Sequence, residues 1–176
     1  MHHKQDACTN PGIYARVTRP TTTRALALNI KIMAYVKNWL HCVWGTKNRT
    51  PFLDKKLKAE LICHIKENAK AKNIYIDSID GYKEHLHCLI SLNPDHSLSK
   101  VIQLIKGESS FWMNKNKKTG NKFEWAVEYY AVSISVTDLQ NVRRYIKNQE
   151  VHHRKETWEE EYNDFLIKYG FEIHQG

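Results

Sequence analysis

Glu84-His85-Leu86-His87-Cys88-Leu89-Ile90-Ser91 reads as a strand with chemistry on one side. Successive side chains of an extended chain point to opposite faces. His85 and His87 therefore share one face, and Leu86, Cys88 and Ile90 share the other. Paired imidazoles can hold a divalent metal if a further ligand arrives from elsewhere, and two histidines do not decide which metal. About sixty residues on, Tyr145 and Gln149 fall one helical turn apart on a predicted helix. An amide oxygen at Gln149 would complete a His-His-Gln set, with the Tyr145 hydroxyl beside it.

Working outward, Gly81 to Glu84 supplies a turn and residues 74–79 a strand before it. The β-rich run 35–46 predicts the first strand, and Pro51 breaks the chain after it. Asp54 is placed to cap a helix to about Lys72, with Leu57, Leu61, Ile62, Ile65 and Ala69 as its apolar face. The central strand is read as 85–92. Ser97 caps a second helix that buries Val101, Ile102, Leu104 and Ile105 and ends near the polar, basic stretch 114–122. Residues 123–135 predict a fourth strand region. Thr137 or Asp138 caps a third helix to about His152, and a last helix over 157–169 closes at Gly170. The order βαββαβ followed by two helices predicts an α+β, ferredoxin-like antiparallel sheet with helices on one face and C-terminal helices, one carrying the tyrosine.

Length and composition suit one domain. The 176 residues are 41% hydrophobic, and 27 Lys and Arg against 19 Asp and Glu leave a net charge of +8. A basic balance favours a polyanionic partner, most often nucleic acid. Cys8, Cys42, Cys63 and Cys88 form no Cys-x-x-Cys pair, which predicts reduced thiols in a cytoplasmic protein. No apolar run approaches the ~20 residues that span a bilayer, and no secretory signal is expected. Residues 1–32 lack an amphipathic period and are expected to be a poorly ordered N-terminal extension to a domain over 33–176.

On the third predicted helix, Leu139, Val142 and Ile146 make an apolar stripe. Asn141, Tyr145, Gln149 and His152 make a polar stripe beside it. Arg143 and Arg144 are candidates to hold a phosphate nearby.

With these residues in place, the chain resembles the single-tyrosine transposases of the HUH class, of the insertion-sequence-200 type, including relatives associated with repetitive extragenic palindromes. The resemblance rests on Trp44-Gly-Thr-Lys-Asn-Arg49, His85-Leu-His-Cys-Leu-Ile-Ser91, Val101-Ile-Gln-Leu-Ile-Lys-Gly-Glu-Ser-Ser110 and Tyr145-Ile-Lys-Asn-Gln-Glu-Val-His-His-Arg154, in that order. It implies that His85, His87 and Gln149 bind Mg²⁺ or Mn²⁺. It also implies that Tyr145 attacks a phosphate of single-stranded DNA at a hairpin-bearing end, leaving a 5′-phosphotyrosine and a free 3′-OH. Family members are homodimers, and in some the tyrosine helix of one subunit serves the histidine pair of the other. Lys47, Arg49, Lys106, Ser110, Arg143, Arg144, His152 and His153 are the DNA-contact candidates. Trp112, Trp125 and Tyr130 are candidates for stacking on bases or for core packing. His41 is expected to be a satisfied sheet histidine, and no general base is evident. The alternatives are a non-catalytic single-stranded nucleic-acid-binding protein and a relaxase or replication-initiator nickase. The latter usually carries a third histidine in place of Gln149 and belongs to larger chains.

Overall fold

The structure, a computed structural model, describes residues 36–153 and 157–171. The expected extension over 1–32 lies outside the described residues. Four strands form one antiparallel sheet: β1 Trp39–Gly45, β2 Tyr75–Gly81, β3 His85–Ser91 and β4 Tyr130–Ser133, in the order β2-β3-β1-β4. Helices α1 Lys55–Ala71 and α2 Leu98–Lys115 cover one face. The C-terminal helices α3 Leu139–Lys147, α4 Gln149–His152 and α5 Trp158–Tyr169 lie over the other. This is the ferredoxin-like arrangement with an added helical layer.

Both central strands are buried on both faces. Even positions of β1 and β3 (Cys42, Trp44, Leu86, Cys88, Ile90) pack with Leu61, Ile65, Val101, Ile102, Ile105 and Met113 of the two long helices. Full burial of one such Leu or Ile stabilises by about 1.5–3 kcal/mol. Odd positions (His41, Val43, His85, His87, Leu89) face α3 and α5. The two expected caps of the long helices are present: Asp54 Oδ1 accepts from Leu57 N at 2.8 Å and Ser97 Oγ from Lys100 N at 3.3 Å. The alternation predicted for 85–92 also holds, which is why the imidazoles and the core side chains separate cleanly.

Two expectations are corrected. The fourth strand spans only Tyr130–Ser133, although 123–135 is β-rich. Upstream, the chain keeps one isolated bridge, Thr46 with Trp125, where Lys47 N donates to Glu124 O and Ala126 N to Gly45 O, both at 2.9 Å, and side chains hold the backbone on either side. Asn114 accepts from Phe123 N and donates to Phe123 O, both at 2.8 Å. Lys106 Nζ donates to the carbonyls of Ala126, Val127 and Glu128 at 2.6–3.2 Å. Phe123 and Trp125 are thereby turned into the core. The expected helix from 137 or 138 to 152 is also divided. Ser135 Oγ accepts from Thr137 N ahead of a short 3-10 turn, and α3 ends at Lys147. Asn148 (φ −100°, ψ 15°) separates α3 from α4, and its N–H is shared between the carbonyls of Arg144 and Tyr145.

Three features position the last elements. Lys58 on α1 is buried and donates to Gly81 O (2.6 Å) and Glu150 Oε1 (3.2 Å), pairing also with Asp80 (2.9 Å). It links α1, the end of β2, and α4 around the sheet edge. In β2 the pairing steps from Ile76↔Ile90 to Ser78↔Leu89, so Asp77 is an extra residue in a bulge. Its carboxylate holds Arg143 of α3 by a two-point contact at 2.7 and 2.8 Å. Gly81 is required by close approach: a Cβ there would lie 2.1 Å from His85 O.

Candidate active site

His85 and His87 are fixed from behind. His85 Nδ1 lies 3.1 Å from Glu84 Oε1, and His87 Nδ1 lies 3.1 Å from His41 Nε2. The Glu84 carboxylate anchors Nδ1 and so turns Nε2 of His85 inward. His41 is therefore more than a satisfied sheet residue: it stacks on His87 with ring centroids 5.3 Å apart and orients it. Burial pushes His87 down to about 4, against the contact with Glu161, and His41 down to about 3, with His87 adding to the effect. Both rings are neutral near pH 7, the state in which imidazole is a ligand.

Gln149 is fully buried at the start of α4. Its Nε2 donates to Glu161 Oε1 (3.3 Å), so its Oε1 faces His85 Nε2 at 3.3 Å. An imidazole nitrogen and an amide oxygen facing each other are both atoms that ligate divalent cations. Tyr145 also reaches this point. Its hydroxyl donates to Glu161 Oε1, and its ring stands edge-on to His87 of the same chain at 5.5 Å. The break at Asn148 thus does not separate the tyrosine from the glutamine.

Glu161 of α5 is the residue that the sequence reading missed. It is 4% exposed. Oε1 lies 3.3 Å from His87 Nε2; Oε2 lies 3.0 Å from His153 Nε2 and 3.5 Å from His85 Nε2. Burial pushes its carboxyl up, but the contacts with His153 and His87 outweigh this and hold it well below the usual carboxylate range. A signal was present: Glu161 interrupts the spacing of Trp158, Tyr162, Phe165 and Leu166, the residues that dock α5. An acid on a buried stripe calls for a partner.

The residues fit a divalent cation. His85, His153 and Glu161 each offer a ligand atom, all within 4.8 Å of one another. His87 Nε2 and Glu161 Oε2 are both buried in the same cluster, His87 Nε2 facing Glu161 Oε1 at 3.3 Å and Glu161 Oε2 facing His153 Nε2 at 3.0 Å.

The DNA-contact candidates divide. His152 and His153 join the cluster: His152 packs edge-on against Tyr145 at 5.3 Å, and His153 stacks on Tyr82 at 4.8 Å. Arg49 lies over Trp158 at 3.9 Å, near His85. Arg143 is held by Asp77, Arg144 is exposed, and Lys47 pairs with Glu124 at 3.1 Å. Lys106 and Ser110 line a groove of about 390 Å³ beside α2, on the opposite side of the sheet from the histidines. There Lys106 anchors the 126–128 carbonyls and Ser110 donates to Phe123 O. Trp112 stacks on His64, Trp125 donates to Ser109, and Tyr130 donates to Tyr162, so packing claims all three.

Residues 34–149 match the family model described as Transposase IS200 like. The chain belongs to the IS200-like transposase family. Two solved structures share the fold of this IS200-like chain. One is a candidate transposase from Deinococcus radiodurans R1, at 22% identity and TM-score 0.52, covering 68% of this chain and 96% of that one. The other is a REP-associated tyrosine transposase bound to a REP hairpin, at 19% identity and TM-score 0.53, covering 72% of this chain and 74% of that one. No curated protein matches. The family match stops at Gln149, so His152, His153 and Glu161 lie beyond it. No helix among the described residues is long and apolar enough to cross a membrane.

Proposed function

We propose that this IS200-like transposase cleaves and rejoins single-stranded DNA at hairpin-bearing ends, with Tyr145 as nucleophile and a divalent metal, Mg²⁺ or Mn²⁺, held by His85, His87 and Gln149. The observation that carries this reading is convergence. The inward nitrogens of two oriented imidazoles, the Gln149 oxygen and the Tyr145 hydroxyl meet around one carboxylate.

When bound, the metal supplies Lewis-acid polarisation of the scissile phosphate. Glu84 and His41 keep the imidazoles turned inward. Tyr145 Oη forms a bond to phosphorus, and the bond from phosphorus to the 3′ oxygen breaks. The 3′ end leaves as a hydroxyl, taking up a proton to replace the one the phenol lost. The 5′ end stays on Tyr145 as a phosphodiester. A 3′-OH from another end can reverse the step, because the covalent link conserves the bond and no nucleotide cofactor is needed. The basic net charge suits a polyanionic strand. Arg49, Arg144, His152 and His153 are the contacts nearest in kind to that role, and a homodimer is the proposed assembly.

The test is a labelled single-stranded oligonucleotide, taken from palindromes flanking the gene, incubated with protein and Mn²⁺ and run on a denaturing gel. Wild type gives a covalent adduct. Tyr145→Phe binds the strand and gives none. An undiminished adduct in that variant assigns the nucleophile elsewhere.

A further inference from the structure

We infer that the segment beyond the family match completes the metal site, with Glu161 Oε2 and His153 Nε2 joining His85 as ligands, so that the cation is held by a carboxylate from α5. This deepens the proposed metal-dependent reading and rests on it.

Two independent observations carry it. Atoms of His85, His153 and Glu161 already lie within 4.8 Å of one another, close enough to share one ion. Glu161 Oε2 is also a buried carboxylate oxygen turned onto two imidazole nitrogens, His153 Nε2 at 3.0 Å and His85 Nε2 at 3.5 Å, while its sister Oε1 accepts from both Tyr145 and Gln149. A carboxylate buried among imidazole nitrogens is a donor set that a divalent cation can share.

The chemistry agrees. Two imidazoles and an amide form an uncharged set that hard cations bind weakly, since Mg²⁺ and Mn²⁺ favour oxygen and carboxylates above all. Glu161 adds the missing negative charge. The geometry is supported from outside: Trp158, one turn earlier on α5, packs on His85 with centroids 4.5 Å apart, and Tyr82 stacks on His153. The two oxygens of Glu161 are then divided between tasks. Oε2 turns toward the ion, and Oε1 holds the nucleophile in place.

The test is calorimetric titration of the metal-free full chain with MnCl2, and separately with MgCl2, in the absence of DNA. Glu161→Gln keeps the shape and an acceptor for Tyr145 but removes the charge. Mn²⁺ affinity is expected to fall about tenfold or more, with the circular-dichroism melt of the variant still cooperative. Unchanged or tighter Mn²⁺ binding overturns the inference; tighter binding makes Glu161 a plug that competes with the ion. If Glu161→Gln does not fold, His153→Gln takes its place with the same expected loss, and unchanged affinity again overturns the inference. His87→Ala separates the two readings. Loss of Mn²⁺ binding there but not in Glu161→Gln leaves the proposed function standing and sinks this inference alone. Absence of Mn²⁺ binding by wild type sinks both.

Discussion

The Tyr145 hydroxyl donates to the carboxylate of Glu161, sixteen residues further along and on a different helix. The phenol therefore does not rest on its own helix alone. Its position depends on α5 docking, and α5 docks through Trp158, Tyr162 and Phe165 against the sheet face that carries the histidines.

The Tyr145 ring stands against His87 of its own chain, so the proposed tyrosine reaction is expected to run within one subunit. Tyr145→Phe mixed with His87→Ala is expected to give no adduct. Each variant alone should lose more than about a hundredfold in cleavage. Adduct restored on mixing, read on the denaturing gel, means that subunits exchange their tyrosine helices.

Lys58 is the second prediction. Its ammonium is nearly buried and answers Gly81 O, Asp80 and Glu150 together. Lys58→Met keeps the volume but leaves Asp80 and Gly81 O short of a partner. Denaturant unfolding should show a loss of about 3 kcal/mol. A loss under about 0.5 kcal/mol, the level of an ordinary surface change, contradicts the tie.

Arg143 is expected to act through Asp77 rather than through a phosphate. A double-mutant cycle with Asp77→Ala and Arg143→Ala should give a coupling of about 1.5–3 kcal/mol, as for hydrogen bonds to charged groups. The salt slope of DNA binding should stay the same in Arg143→Ala. A slope reduced by about one unit restores the phosphate contact.

The thiols give a prediction from pH. Burial pushes Cys42 up to about 12 and raises Cys88 well above its ordinary range, with Cys42 adding to the latter. Thiolate is the reactive form. Raising the pH of folded protein from 7 to 9 stays below the range where either thiol ionises. Iodoacetamide should label Cys63, which is half-buried, before Cys42 or Cys88. Residue-resolved mass spectrometry checks this, and early labelling of Cys88 would mean that β3 opens.

Much of this was legible in the chain because the relevant forces are local. Period-two alternation put His85 and His87 on one face, and 3.6-residue spacing with Asp54 and Ser97 marked both long helices. Tyr145 and Gln149 were close enough in sequence to be read together. What escaped depends on contacts made across the fold. The strand region at 123 shrinks to a single bridge, Thr46 with Trp125, ahead of β4, because Asn114 and Lys106 hold its backbone on either side from another element. The helix break at Asn148 leaves no strong composition signal. Glu161 matters only once α5 has folded back over the sheet, and helix spacing alone does not say which face it will cover.

The surplus residue in β2 has an unexpected standing. Ile74 and Ile76 point to the long helices, and so does Ile79, three positions on instead of two. Close up the chain at Asp77 and the strand would alternate without fault, its apolar side intact from end to end. The sheet has no use for that aspartate, whereas the tyrosine helix is fastened by it. An interruption that looks like a flaw in the ladder is therefore an anchorage for something outside it. A shortened, perfectly regular β2 should yield a sound sheet beneath a loosened Tyr145.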